Sequence, residues 1–277
     1  MNFSKTIYYK EDRPPKKGEP FTDPYFPPNE NSLLGKNEKG EFLDKREGKE
    51  KASRIPSNNI EWKRASEIFK GKKYFLFEDV IEMDDILQGQ LGDCYFLSSV
   101  AALAEFPYLI YNMFRTKEIN KEGYFEVVLY VDGRFQVVIV DDYLPYGKKS
   151  KGIIYAKPRR NEIWVCILEK AWAKVNGSYS NIVGSSNTRI LNEFQFLTGF
   201  PNEYIFNNNY EISDIFERIK ESSDQGAIMT CSSFSGDNET NYDFGIVTNH
   251  EYCIEKAIFY EEKNFSLIKL YKIWFIL

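Results

Sequence analysis

Cys94 and His250 are the residues whose types can act together in nucleophilic chemistry. Gly89, Gly92 and Asp93 stand ahead of an apolar run from Tyr95 to Phe106 that includes Phe96, Leu97, Val100, Ala101 and Leu103. This pattern predicts a loop delivering a helix whose first turn holds Cys94. A thiol at a helix N-terminus faces unpaired backbone N–H groups and the positive end of the helix dipole, which favour the thiolate. A nucleophile of this kind also needs a base within hydrogen-bond reach. The chain has one histidine, His250, and it lies in the other half of the sequence. Spacing alone leaves open whether that imidazole is a base or an ordinary structural residue.

The elements that must hold these two residues follow from the same reading. Tyr124 to Tyr130 and Arg134 to Val140 are β-rich runs joined by Asp132-Gly133, a strong hairpin signal. Glu162 to Val175 returns to helical spacing, with Trp164, Leu168, Ala171 and Val175 on one stripe and Asn176-Gly177 as its stop. Beyond Gly199 the chain reads as strand-rich, with runs at 227–231, 251–260 and 265–274. The first sixty residues are rich in proline and carry a mixed-charge run from Lys36 to Arg54, which reads as an irregular arm laid over a surface.

Composition excludes several classes. With 277 residues, 43% hydrophobic and 16% aromatic, the chain has the material for a large folded core. A net charge of −5 supplies no basic excess for a phosphate backbone, so nucleic acid is not expected as a partner. No run approaches the length of a membrane span, and Met1-Asn2-Phe3-Ser4-Lys5 has no apolar signal core, so a cytoplasmic protein is expected. The four cysteines, Cys94, Cys166, Cys231 and Cys253, form no CxxC pair, and one histidine argues against a Cys/His zinc site.

Gln88-Gly89-Gln90-Leu91-Gly92-Asp93-Cys94-Tyr95-Phe96-Leu97 resembles the active-site motif of the calpain family of papain-like cysteine proteases, usually QGxLGDCWFL, with Tyr95 in place of Trp. Further segments resemble the calpain protease core in the same order: Phe26-Pro27-Pro28, Glu61 to Arg64, Asp141 to Pro145, Trp164 to Lys174 and Gly177-Ser178-Tyr179. Gly245 to Tyr252 is similar to the family's histidine region, where the residue after the histidine is usually alanine and here is Glu251.

The resemblance implies a papain-like α+β fold with an arm over residues 1–55, a helical lobe with the nucleophile over 56–199, and a β-rich lobe with the histidine over 200–277. That second lobe is expected to be incomplete at its C-terminus. The implied chemistry is peptide-bond hydrolysis on protein or peptide substrates. Cys94 would be the nucleophile, His250 the base and Gln88, six residues ahead of Cys94, the oxyanion donor. The family's third triad member is an asparagine in LIRIRNPWG. The matching stretch Leu267 to Trp274 carries Lys272 there, and an ammonium cannot accept the imidazole N–H. Trp274 matches the tryptophan that walls the cleft. A catalytically impaired binding module and a truncated fragment therefore stand beside the peptidase reading. No cofactor is required for the chemistry, but calcium is the family's regulator. Asp85 and Glu162 match one carboxylate pair for it, Glu162 opening the later helix.

Overall fold

The computed structural model describes residues 6–35, 57–184, 193–233 and 246–273. The run from Lys36 to Arg54 and Trp274 lie outside them. Among the described residues, helices and antiparallel sheets alternate, as an α+β chain should. In chain order these are α1 (Glu30–Leu34), β1 (Ile60–Arg64), α2 (Ala65–Ile68), β2 (Ile86–Leu87), α3 (Cys94–Ala104) and α4 (Pro107–Met113). The hairpin β3 (Tyr124–Val131) and β4 (Arg134–Asp141) follows, then β5 (Tyr143–Gly147), β6 (Lys157–Pro158), α5 (Trp164–Val175) and α6 (Glu193–Thr198). The last stretch holds α7 (Ile212–Asp224), β7 (Met229–Ser232), β8 (Glu251–Tyr260) and β9 (Phe265–Tyr271).

Two central helices organise the core. Every residue of α3 after Cys94 is buried, and so is α5 from Trp164 to Lys174. A helix apolar nearly all round has no solvent face to present and must be covered on every side. Phe96 on α3 stacks on Trp172 on α5 with centroids 5.0 Å apart and planes 2° from parallel, locking the two helices side by side. The hairpin turn falls at Asp132-Gly133, whose φ values of 50° and 76° match the twist of a two-residue turn. The three-stranded sheet β7-β8-β9 packs its middle strand on α3.

Three expectations need correction. Glu162 lies outside the later helix: α5 starts at Trp164 with Ile163 as its N-cap, while Glu162 bridges to Phe75. Residues 56–199 are not simply helical, since three two-stranded sheets, β1-β5, β2-β6 and β3-β4, lie within them. The strand-rich stretch after Gly199 contains the helix α7, with Ile215, Phe216 and Ile219 turned toward the protein.

The N-terminal arm is irregular in backbone but is stitched into the core. Phe26 and Asp23 are fully buried, and Lys174 on α5 donates to Asp12 Oδ1 at 2.7 Å, Asp23 Oδ2 at 2.8 Å and the Ile139 carbonyl at 2.6 Å. A buried ammonium with three oxygen acceptors is satisfied, and removing one partner of such a pair typically costs about 3–5 kcal/mol.

Candidate active site

Cys94 is the first residue of α3, so its main-chain N–H has no acceptor within the helix and stays available to an incoming oxyanion. The loop ahead of it is held from several sides. Gln90 N–H donates to the Ile154 carbonyl at 2.6 Å, and Gly184 N–H to the Gly92 carbonyl at 2.9 Å. Gly89 passes so close to the 154–155 main chain that a Cβ there would sit 1.9 Å from the Tyr155 carbonyl oxygen, which only glycine avoids. Gln88 is buried, and its Nε2 donates to the Leu91 carbonyl at 2.8 Å, closing the loop on itself.

The thiol meets the second half of the chain at the start of β8. The Glu251 main-chain N–H donates to the Cys94 sulfur, and one turn along α3 the Ser98 hydroxyl donates to the Glu251 carbonyl at 2.9 Å. Both main-chain groups of Glu251 are thus held by α3. His250, the preceding residue, is fixed at the same junction. Asn249 before it adopts a left-handed φ of 51°, Ser233 N–H donates to the His250 carbonyl at 2.9 Å, and the His250 N–H donates to the Ser233 hydroxyl oxygen at 3.0 Å. The imidazole stands edge-on to Tyr252, centroids 5.1 Å apart, and Tyr252 is itself held because its hydroxyl accepts the Val247 N–H at 2.8 Å.

The electrostatics differ from the expectation of a ready thiolate. Burial pushes the Cys94 thiol up to about 12, and the nearby carboxylates of Asp93 and Glu251 push in the same direction. The Glu251 N–H works against them, but desolvation dominates. Cys231 and Cys253 are raised to about 12 as well, so resting acidity does not single out Cys94. Its helix position and its neighbours do.

Lys272 follows β9 directly. Because Cys253 pairs with Tyr271 in an antiparallel ladder, residues after Tyr271 run toward the His250 end of β8. Asp85 and Glu162 are brought together, both buried, with Asp85 Oδ2 accepting the Glu82 N–H at 2.8 Å and Glu162 Oε2 the Glu78 N–H at 3.3 Å. Asp85 Oδ1 and Glu162 Oε1 have no N–H or hydroxyl donor among the described residues, and the two carboxyls lie in contact, two oxygen ligands with no third His, Cys, Asp or Glu grouped beside them there. Burial and the Asp85 charge raise Glu162 to about 7.

Sequence reasoning missed the partners of the nucleophile: Glu251 as a charge facing it, Ser98 as the hydroxyl that holds Glu251, and the buried carboxyls Asp93 and Glu169. Glu169 and Lys170 inside an apolar helical run were the available signal, because polar groups buried there must be paired.

The sequence pattern of the calpain family cysteine proteases matches residues 21–275. The chain is 32% identical over 244 residues to the calpain-type cysteine protease ADL1 of Oryza sativa subsp. japonica, covering 84% of this chain and 10% of that protein. It is 31% identical over 271 residues to the calpain-1 catalytic subunit of Bos taurus, covering 94% of this chain and 35% of the relative. The calpain-type cysteine protease DEK1 of Zea mays is 32% identical over 244 residues, 84% of this chain and 11% of its own length. The class these matches define is that of the cysteine peptidases. Within it, the chain belongs to the calpain family, and it spans from about a tenth to about a third of the relatives' lengths.

Glu251 stands where the family usually has alanine, and its carboxylate opposes a charge on Cys94. Glu251→Ala should therefore speed alkylation of Cys94 near neutral pH, by about tenfold if the thiol falls by one unit. Iodoacetamide rates read by mass spectrometry check this, and a rate equal to wild type would show that the carboxylate does not act on the thiol.

Proposed function

We propose that this chain is the protease core of a calpain-type cysteine endopeptidase acting on protein or peptide substrates. The observation that carries this reading is the meeting of Cys94, at the head of α3, with the first residue of β8 directly after His250, in a chain of this family. Because Cys94 keeps its proton at rest, His250 takes that proton as the sulfur attacks the substrate carbonyl. The Cys94 N–H and the Gln88 side chain stabilise the oxyanion that forms. The tetrahedral intermediate collapses as His250 passes its proton to the leaving amine, and water then hydrolyses the thioester by the same route in reverse. An arm over 1–55 and lobes over 56–199 and 200–277 are the units of this reading. All four cysteines are free, which suits a reducing compartment such as the cytoplasm. Cleavage of a denatured protein substrate, abolished in Cys94→Ala, tests the reading.

A second reading, a catalytically impaired module that binds proteins through the same cleft, is favoured by one observation. By the resemblance of Leu267 to Trp274 to LIRIRNPWG, Lys272 stands against the family's orienting asparagine. Binding of a peptide without turnover, unchanged in Cys94→Ala, would support it.

Calcium enters as a regulator held by Asp85 and Glu162, where it would supply positive charge joining the segment before α3 to the segment before α5. With Glu162 raised to about 7, its stabilising contribution in the metal-free protein is complete below the ordinary glutamate range and is lost as pH rises through about 7. Calcium should restore stability above that pH, by about 2.7 kcal/mol at a hundredfold excess over Kd, and much less at acid pH, where Glu162 holds a proton. Thermal unfolding with and without calcium checks this. The same rise in Glu162→Gln would remove the site.

A further inference from the structure

Asp93 and Glu169 are 0% and 1% exposed and neither takes a proton or forms a bond in the chemistry above. The main chain of Asp93 belongs to α3: its carbonyl accepts the Phe96 N–H at 3.0 Å and the Leu97 N–H at 3.2 Å. Its carboxyl makes no cap to that helix and meets Glu169 on α5 instead. Neither Asp93 carboxyl oxygen has an N–H or hydroxyl donor from another of the described residues. Glu169 is anchored from its far side, where Oε1 accepts the Ala156 N–H at 2.9 Å. Around the pair stand Cys94 and Tyr95 beside Asp93, and Cys166 and Tyr179 beside Glu169. The nearest cation in sequence, Lys170, is engaged by Asp141 and the Tyr143 carbonyl. Two carboxylates facing each other in a dry core with no cation cannot both be charged. One proton between them turns repulsion into a charge-assisted O–H···O hydrogen bond.

We propose that Asp93 and Glu169 share a single proton, held by Glu169 and donated to Asp93, and that this bridge is a positioning device fixing the Cys94 end of α3 to α5. It rests on the reading of Cys94 as nucleophile. The bridge explains why the carboxyl beside the thiol is turned inward and away from its own helix terminus, where it would otherwise make the usual N-cap. Burial holds both carboxyls above the usual range, and their contact adds to the rise at Glu169, the donor, while working against it at Asp93, the acceptor. The single-proton bridge therefore belongs to pH near and above neutral, takes up a second proton toward acid pH, and is lost as pH rises and the shared proton leaves.

Three variants of the full chain separate the possibilities. In Glu169→Gln the amide oxygen can still accept the Ala156 N–H and the amide N–H can donate to Asp93, so the bridge survives without a titrating proton. In Asp93→Asn the bridge survives with its charge moved from beside the thiol to α5. In Glu169→Leu the bridge is gone. Melting temperature and the rate of Cys94 alkylation by iodoacetamide are measured from about pH 5 to about pH 9. Glu169→Gln is expected to flatten the fall of melting temperature with rising pH. Asp93→Asn is expected to move the alkylation profile to lower pH, about tenfold faster at neutral pH for a shift of one unit. Glu169→Leu is expected to lower the melting temperature, or not to fold at all, where Glu169→Gln folds. PH profiles of Glu169→Gln and Asp93→Asn that match wild type in both readouts would overturn the shared proton. A Glu169→Leu protein with wild-type stability and alkylation would overturn the positioning role. If Cys94 in wild type reacts no faster than Cys231, the nucleophile reading falls, while the melting profiles still decide the bridge.

Discussion

Cys94→Ala and His250→Ala are each expected to abolish peptide hydrolysis, with kcat lower by about 10⁶ in either single variant and no lower in the double variant, because nucleophile and base act as one unit. The resting thiol makes the dependence on His250 stricter. Burial with Asp93 and Glu251 beside it raises Cys94 to about 12, so few thiolates form unless a base removes the proton during attack. No second histidine exists to substitute for His250. Initial rates on a quenched peptide, with folding of each variant checked by thermal unfolding, measure the effect. Substantial activity in His250→Ala would mean a different base.

Lys272→Asn should act in the opposite direction. An ammonium offers only donors, so it cannot accept the imidazole N–H, and its charge disfavours the imidazolium that forms when Cys94 loses its proton. Asparagine supplies a neutral acceptor. Loss of the orienting member of a serine triad costs about 10⁴ in kcat, so the variant should recover part of a deficit of that order. The gain should appear in kcat with KM little changed if, as the proposed reading has it, an asparagine at 272 acts on the base and not on the substrate. Equal turnover in wild type and Lys272→Asn would show that Lys272 does not limit the base.

Much of what positions the site was legible in the sequence because it is local. Gly92-Asp93 ahead of an apolar run placed the start of α3 at Cys94, and Asp132-Gly133 placed the hairpin turn, whose left-handed φ values are those residues' own preference. The end of α5 at Asn176-Gly177 was equally local. α7 was missed although Ile212, Ile215, Phe216 and Ile219 recur at helical spacing. Most of its residues are polar and the flanking runs are strand-like, so the apolar stripe is too narrow to mark a helix by itself. The helix terminus, the local signal, favours a thiolate at Cys94, but the acidity of the thiol is set elsewhere. It depends on Glu251, which arrives from the far half of the chain, and on burial that no local pattern reveals. Asp93 and Glu169 belong to the same kind of non-local fact: each lies in a quoted motif, and only packing of α3 against α5 brings the two carboxyls together.

The most direct measurement is labelling of the whole chain with an epoxide or fluoromethylketone probe for active-site cysteines, with the modified residue located by mass spectrometry in wild type and in His250→Ala. On the proposed reading, in which His250 is the base for the thiol at the head of α3, Cys94 alone should be modified in wild type and should stay unmodified in His250→Ala. Equal modification of Cys94 and Cys231, or full labelling of Cys94 without His250, would contradict a Cys94-His250 nucleophile.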